Sequence, residues 1–217
     1  METAPRRGLT RRSLAFAALS VASIARAEPA RRLDFDVWRG RSRIGHHSVA
    51  FSQVGDRLTA DILAEISVSI GPIALFRYRH QATESWRGGR FVELVSQTVT
   101  NGRREQLTAI AANDGVAIRS QRGTSRLTAG SLPLTHWNET ALASPLFNPE
   151  TGAPFRLSVA RQAGQRLTVA GRGPIEATRV TLSGEADLID WYDAQGVWSA
   201  LTAKATDGSR VDYRRAI

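Results

Sequence analysis

A chain of 217 residues with 42% hydrophobic content, 18 Gly and 8 Pro can build a real core, which excludes a low-complexity or disordered polymer and leaves room for one domain or two small ones. Its 29 basic and 20 acidic residues give a net charge of +9, yet Arg6, Arg7, Arg11, Arg12 and Arg26 against Glu2 place +4 of it in residues 1–27. The other +5 is scattered arginine, with Lys204 the only lysine, so the basic stripe that nucleic-acid recognition requires is missing.

Residues 1–27 match an export signal. An arginine-rich start is followed by an uncharged run from Leu14 to Ala25 and by the small-residue site Ala25-Arg26-Ala27. The run is too short for a bilayer core, which needs about 20 apolar residues, so no integral membrane segment is expected once the signal is removed. Thr10-Arg11-Arg12-Ser13-Leu14-Ala15-Phe16 resembles the twin-arginine consensus without its usual lysine; an ordinary secretory signal containing Arg-Arg is the alternative. Either route leads to a periplasmic location. The chain has no cysteine, which removes disulfides, thiolate catalysis and Cys-ligated metals, and its only methionine is Met1.

Residues 28–217 read as a single β-rich domain. Leu33, Phe35 and Val37 alternate with polar neighbours in a first strand, and a second runs from Ile44 to Gln53. Every even position from Leu58 to Ile70 is apolar, a period of two that marks a long half-buried strand ended or bent by Gly71-Pro72. Strands are expected over 74–86, 91–100, 105–112 and 116–122, with turns at 87–90, Asn101-Gly102 and Asn113-Asp114-Gly115. A proline-rich break over 131–154 carries Asn138 as the cap of one or two helical turns ending before Pro145. Strands resume over 155–162, 165–171, 175–184, 186–193, 197–205 and 209–215, punctuated by Gly164, Gly173-Pro174, Gly196 and Asp207-Gly208. No βαβ alternation appears. The fold class is therefore all-β, a single antiparallel meander curled into a barrel or deeply curved sheet, with a two-sheet sandwich as the alternative.

Candidate functional residues fall in two places. The even face of strand 74–86 presents Phe76, Tyr78, His80, Glu84 and Trp86; on a lumen these would place polar handles in an apolar cavity. His80 and Glu84 are about 13 Å apart along an extended strand, too far for a direct hydrogen bond. In the irregular break, His136, Trp137 and Asn138 form the second group. His46 and His47 are adjacent on a strand, so they point to opposite faces and cannot share a metal. Asp190 and Tyr192 alternate with Trp191 and Asp193 before a turn at Asp193-Ala194-Gln195-Gly196, and turn chemistry explains Asp193 and Gly196. No catalytic motif, metal site or cofactor site emerges.

Phe35-Asp36-Val37, Arg43-Ile44-Gly45-His46, Phe76-Arg77-Tyr78-Arg79-His80, Trp86-Arg87-Gly88-Gly89, His136-Trp137-Asn138, Asn148-Pro149-Glu150-Thr151-Gly152 and the run from Asp190 to Trp198 occur in this order, with Asp207-Gly208-Ser209 and Tyr213 after them. Together they resemble a family of exported proteobacterial all-β proteins, a domain of unknown function. The resemblance implies an exported single β domain and transfers no catalytic residue.

The expectation from these readings is a non-enzymatic periplasmic protein that binds a lipid or other small apolar or amphipathic molecule through Tyr78, His80, Glu84, Trp86, His136, Trp137 and Asn138. A hydrolase using His80 or His136 with a carboxylate is the first alternative. An interaction or scaffold protein of the envelope is the second.

Overall fold

The computed structural model describes Met1 and residues 31–70, 73–169, 171–205 and 207–216; the expected signal and the Gly71-Pro72 break lie outside them. Thirteen strands form one antiparallel sheet. They are β1 (Arg32–Arg39), β2 (Ser42–Val54), β3 (Arg57–Ile70), β4 (Ile73–Arg87), β5 (Arg90–Thr100), β6 (Arg103–Ala112), β7 (Gly115–Ser120) and β8 (Gly123–Leu127), followed after the break by β11 (Leu157–Val169), β12 (Gly173–Gly184), β13 (Leu188–Asp193), β14 (Trp198–Lys204) and β15 (Arg210–Arg215). Their spatial order is β11-β12-β13-β14-β15-β1-β2-β3-β4-β5-β6-β7-β8. Every neighbour pair is a hairpin except one: β1 pairs with β15, Val37 opposite Tyr213, and so joins the two ends of the chain in the middle of the sheet.

The period of two decides which side chains turn inward. Ala60, Ala64 and Ala82 on β3 and β4 are buried at positions where a larger side chain would fill the concavity. The break occupies the space they leave. It contains a two-stranded parallel piece, β9 (Leu132–Pro133) with β10 (Leu146–Phe147), and a 3₁₀ turn over Glu139–Ala143. Ile62, Leu132 and Trp137 pack against both halves of the core, one built around Phe35, Tyr192 and Trp198 and the other around Trp86, Leu94 and Phe147. Among the described residues β8 and β11 do not pair with each other, so the structure is a deeply curved sheet closed over an internal plug.

The Asn148-Pro149-Glu150-Thr151-Gly152 segment seats this plug. Asn148 Oδ1 accepts the backbone N–H groups of Glu150 and Thr151 at 2.8 and 3.2 Å, and Ser96 Oγ on β5 donates to the Pro149 carbonyl at 2.5 Å. Gly152, at φ 76°, lies so close to the wall that a Cβ there would be 2.4 Å from Cγ2 of Ile118.

Three expectations are corrected. Gly164 was expected to separate two strands; it sits with positive φ inside the single strand β11, where the register to β12 shifts between Gln162 and Gln165, because a glycine bulge absorbs an extra residue without ending the ladder. The strand expected over 116–122 ends at Ser120, and β8 follows as a strand of its own after a two-residue turn. Asn138 stands at the start of the helical turn without a side-chain capping bond; its Oδ1 instead accepts from the Thr140 hydroxyl at 2.7 Å, and the turn is a five-residue 3₁₀ helix.

Candidate functional site

Between the plug and the inner face of β2, β3, β4, β14 and β15 lies a cavity of about 180 Å³. Its wall is built by inward positions two apart, His47 and Val49 on β2 and Tyr78, His80, Ala82 and Glu84 on β4, with Trp198 and Tyr213 from the C-terminal strands. The plug supplies Thr135, His136 and Trp137 on one side and Asn148, Pro149 and Glu150 on the other.

His46 and His47 do point to opposite faces. His46 is outside, 3.7 Å from Glu65, whereas His47 is buried in the cavity wall with Trp198 and Tyr213 edge-on at 5.1 and 5.6 Å. Burial holds the His47 imidazole well below its ordinary pKa, helped by repulsion from His136, His80 and His46. Among the described residues its ring nitrogens find no hydrogen-bond partner.

His80 is tied through Nδ1 to Thr98 Oγ1 at 2.8 Å and stacks parallel to Tyr78 at 6.4 Å. Burial lowers its pKa to about 4, so the ring is neutral near pH 7 and presents one donor and one acceptor. The Tyr78 hydroxyl donates to Glu150 Oε1 at 2.7 Å, and burial raises the Glu150 carboxyl above its ordinary value. Glu84 is 1% exposed and its Oε2 accepts the indole N–H of Trp86 at 3.0 Å and of Trp137 at 3.2 Å, one from the wall and one from the plug. Burial outweighs these bonds and pushes its pKa up to about 7. Thr135 sits beside the same carboxyl, with its buried hydroxyl unpartnered at ordinary hydrogen-bond geometry.

His136 has a different partner. Its Nδ1 lies 2.9 Å from Oδ2 of Asp190, a residue with no exposed surface, whose Oδ1 accepts the Trp198 indole N–H at 2.9 Å. The His136 ring stacks on Trp198 at 5.2 Å, and Tyr192 donates its hydroxyl to the His136 carbonyl at 2.9 Å. With Nδ1 held by the carboxylate, Nε2 is the nitrogen left for other chemistry.

The structure thus brings Tyr78, His80, Glu84, His136 and Trp137 to one cavity. Trp86 and Asn138 do not line it: Trp86 lies beneath, in edge contact with Phe91 and Trp137, and Asn138 belongs to the helical turn. His80 and Glu84 share the wall without a direct bond. Sequence reasoning missed His47, Glu150, Trp198 and Tyr213 as lining residues and gave Asp190 a purely structural place on its strand. The signal for Asp190 was its place in the alternation, two before inward Tyr192. Among the described residues no three His, Asp or Glu side chains come together to hold a metal ion.

The crystal structure of a beta-barrel-like protein of domain of unknown function DUF1849 from Brucella abortus is similar in fold, with 13% identity, 86% of this chain and 95% of that one covered, and a TM-score of 0.63. No curated protein matches the chain in sequence. The model of a domain of unknown function, DUF6134, matches residues 35–216, which spans β1 to β15 and the whole cavity, and the chain belongs to that family.

Proposed function

We propose that this is an exported protein of the cell envelope that holds a small, polar, hydrogen-bonding molecule in the cavity between the plug and β4. The observation that carries the reading is a cavity lined by buried polar groups the protein leaves unanswered: the Thr135 hydroxyl, buried and without a partner, beside buried His47, for which no hydrogen bond to the protein is found among the described residues. Buried polar groups are almost always satisfied, so a bound molecule or ordered water has to answer them. Size narrows the class. A volume of about 180 Å³ equals roughly six waters at about 30 Å³ each and is below the range of about 300 Å³ and more that drug-sized ligands occupy. An acyl chain has too little room here, and the histidines, Glu84 and the tyrosines match a small polar molecule better than an apolar one.

The test uses the adjacent histidines as each other's control. Native mass spectrometry of the protein isolated from its own cells is expected to show one small adduct. His47→Leu should remove it, with affinity for the identified molecule falling about tenfold or more, near 1.4 kcal/mol, while His46→Leu, on the outer face, should retain it. Equal retention in both variants, or no adduct on the unaltered protein, rejects the proposal.

One observation favours a second reading, hydrolysis. The 2.9 Å contact of His136 with buried Asp190 orients an imidazole as a general base requires. Among the described residues no hydroxyl is hydrogen-bonded to that ring, so the nucleophile would be water, and binding remains the better-supported function. Export rests on residues 1–27. Protein recovered from the periplasm should begin near Glu28, and Arg11→Lys/Arg12→Lys should stop its appearance there; unchanged export would reject the twin-arginine route.

A further inference from the structure

β3 and β4 outrun their neighbours. On one side the last pair with β2 is Gly45 with Ile66, and on the other the last pair of β4 with β5 is Tyr78 with Thr100. Among the described residues, Ser67–Ile70 and Ile73–Arg77 are therefore laddered only to each other and form a free arm, held at its base where the Arg77 N–H meets Asn101 Oδ1 and the Asn101 N–H meets the Arg77 carbonyl, each at 2.8 Å. Residues 73–77 extend about 15 Å past the end of β5 at roughly 3.3 Å per residue.

The arm's composition does not suit an aqueous projection. Ile73 and Leu75 are 65% and 54% exposed. Val68 pairs with Phe76, and the register then shifts, with Ser69 opposite Ala74, so Leu75 is the extra residue of a bulge and the alternation that would hide apolar side chains on one face is broken. Its surroundings are basic. Arg77 and Arg79 stand at its base, Arg41 in the β1–β2 turn and Arg103 and Arg104 at the start of β6 belong to the same end of the sheet, and all five are exposed. Against them stand Glu65, paired with Arg79, and Glu105, paired with Arg103 and Arg122. Arg41, Arg77 and Arg104 have no carboxylate partner among the described residues.

We infer that this arm is a membrane-docking finger, its apolar end entering the surface of an anionic lipid bilayer while the arginines around its base meet the headgroups. Amphipathic elements of interfacial proteins sit about 5–10 Å into the headgroup and acyl boundary, a depth the arm can reach while the sheet stays in water. Charge complementarity selects anionic lipid over a second copy of this chain, whose corresponding end carries the same positive charge. The inference stands on the arm alone and does not depend on what the cavity holds.

The absence of native cysteine permits a site-specific test on the full chain. Leu75→Cys and, as control, Val95→Cys on the exposed outer face are each labelled with an environment-sensitive fluorophore and mixed with vesicles of phosphatidylcholine with or without phosphatidylglycerol. The expected result is a blue shift and protection from aqueous quencher at position 75 with anionic vesicles, none at 95, and reversal by high salt. Arg77→Glu/Arg104→Glu should weaken vesicle binding about tenfold or more. A label at 75 that stays in water on protein sedimenting with the vesicles, or the same shift without lipid as protein concentration rises, overturns the inference; the latter assigns the arm to self-association.

Discussion

Asp190→Ala is expected to lower the unfolding free energy by about 3–5 kcal/mol, the loss of two hydrogen bonds to a buried carboxylate at roughly 1.5–3 kcal/mol each. The carboxylate has no exposed surface and answers two donors from different parts of the fold, His136 in the plug and Trp198 on β14. Alanine leaves the buried Trp198 N–H and the half-buried His136 ring without their acceptor and opens a gap beside the stacked rings of the two residues. Asp190→Asn should cost less, about 1–3 kcal/mol, because its amide oxygen still accepts one of the two and the imidazole can change tautomer. Urea denaturation at neutral pH measures both. A loss below about 1 kcal/mol for the alanine variant would mean that plug and wall are not coupled through this residue.

Glu84 should behave in the opposite sense, with Glu84→Gln raising stability at pH 8 and leaving it unchanged near pH 4. The sign follows from burial. The Glu84 carboxyl moves from an ordinary 4.5 to about 7 in the folded protein, so between these values the unfolded chain has released a proton that the folded chain retains. Stability therefore falls as pH rises through that window, by about 3 kcal/mol at roughly 1.4 kcal/mol per pKa unit. Glutamine keeps an oxygen for the Trp86 and Trp137 indoles and adds an N–H₂ that can meet the unpartnered Thr135 hydroxyl. His80 works from the other side. Its pKa falls from 6.5 to about 4, so its share of stability is present above pH 6.5 and is lost as pH drops through 4; the wild-type and variant share it, and it cancels in their difference. Denaturation midpoints of the two proteins from pH 4 to 8 should diverge upward with pH. Parallel curves would show that folding does not raise the Glu84 pKa.

The strands were legible because burial on one face of a sheet leaves a period of two, and β3 from Leu58 to Ile70 displays it almost without exception. That same rule placed Tyr78, His80 and Glu84 on one wall and separated His46 from His47. It could not say which distant strands share a space. His47, Trp198 and Tyr213 meet because β1 inserts between β2 and β15, a pairing across more than 150 residues that leaves no local mark. The alanines at 60, 64 and 82 were a usable clue: small residues in three inward positions of otherwise large apolar strands announce that something else must fill the concavity. Gly164 misled because a glycine that ends a strand and a glycine that bends one look alike in sequence.

The position of β1 also sets an order of events for the growing chain. β1 is made long before β15, yet it needs that strand on its open side before the two halves of the sheet become continuous. Until Arg210–Arg215 is available the first half presents β1 as a bare edge, and such an edge invites pairing with another chain. A fold assembled this way has high contact order and reaches its native state slowly, only once β15 has been made. Loss of only the final eight residues would therefore leave two half-sheets linked through the plug, an outcome far larger than the length of the deletion suggests.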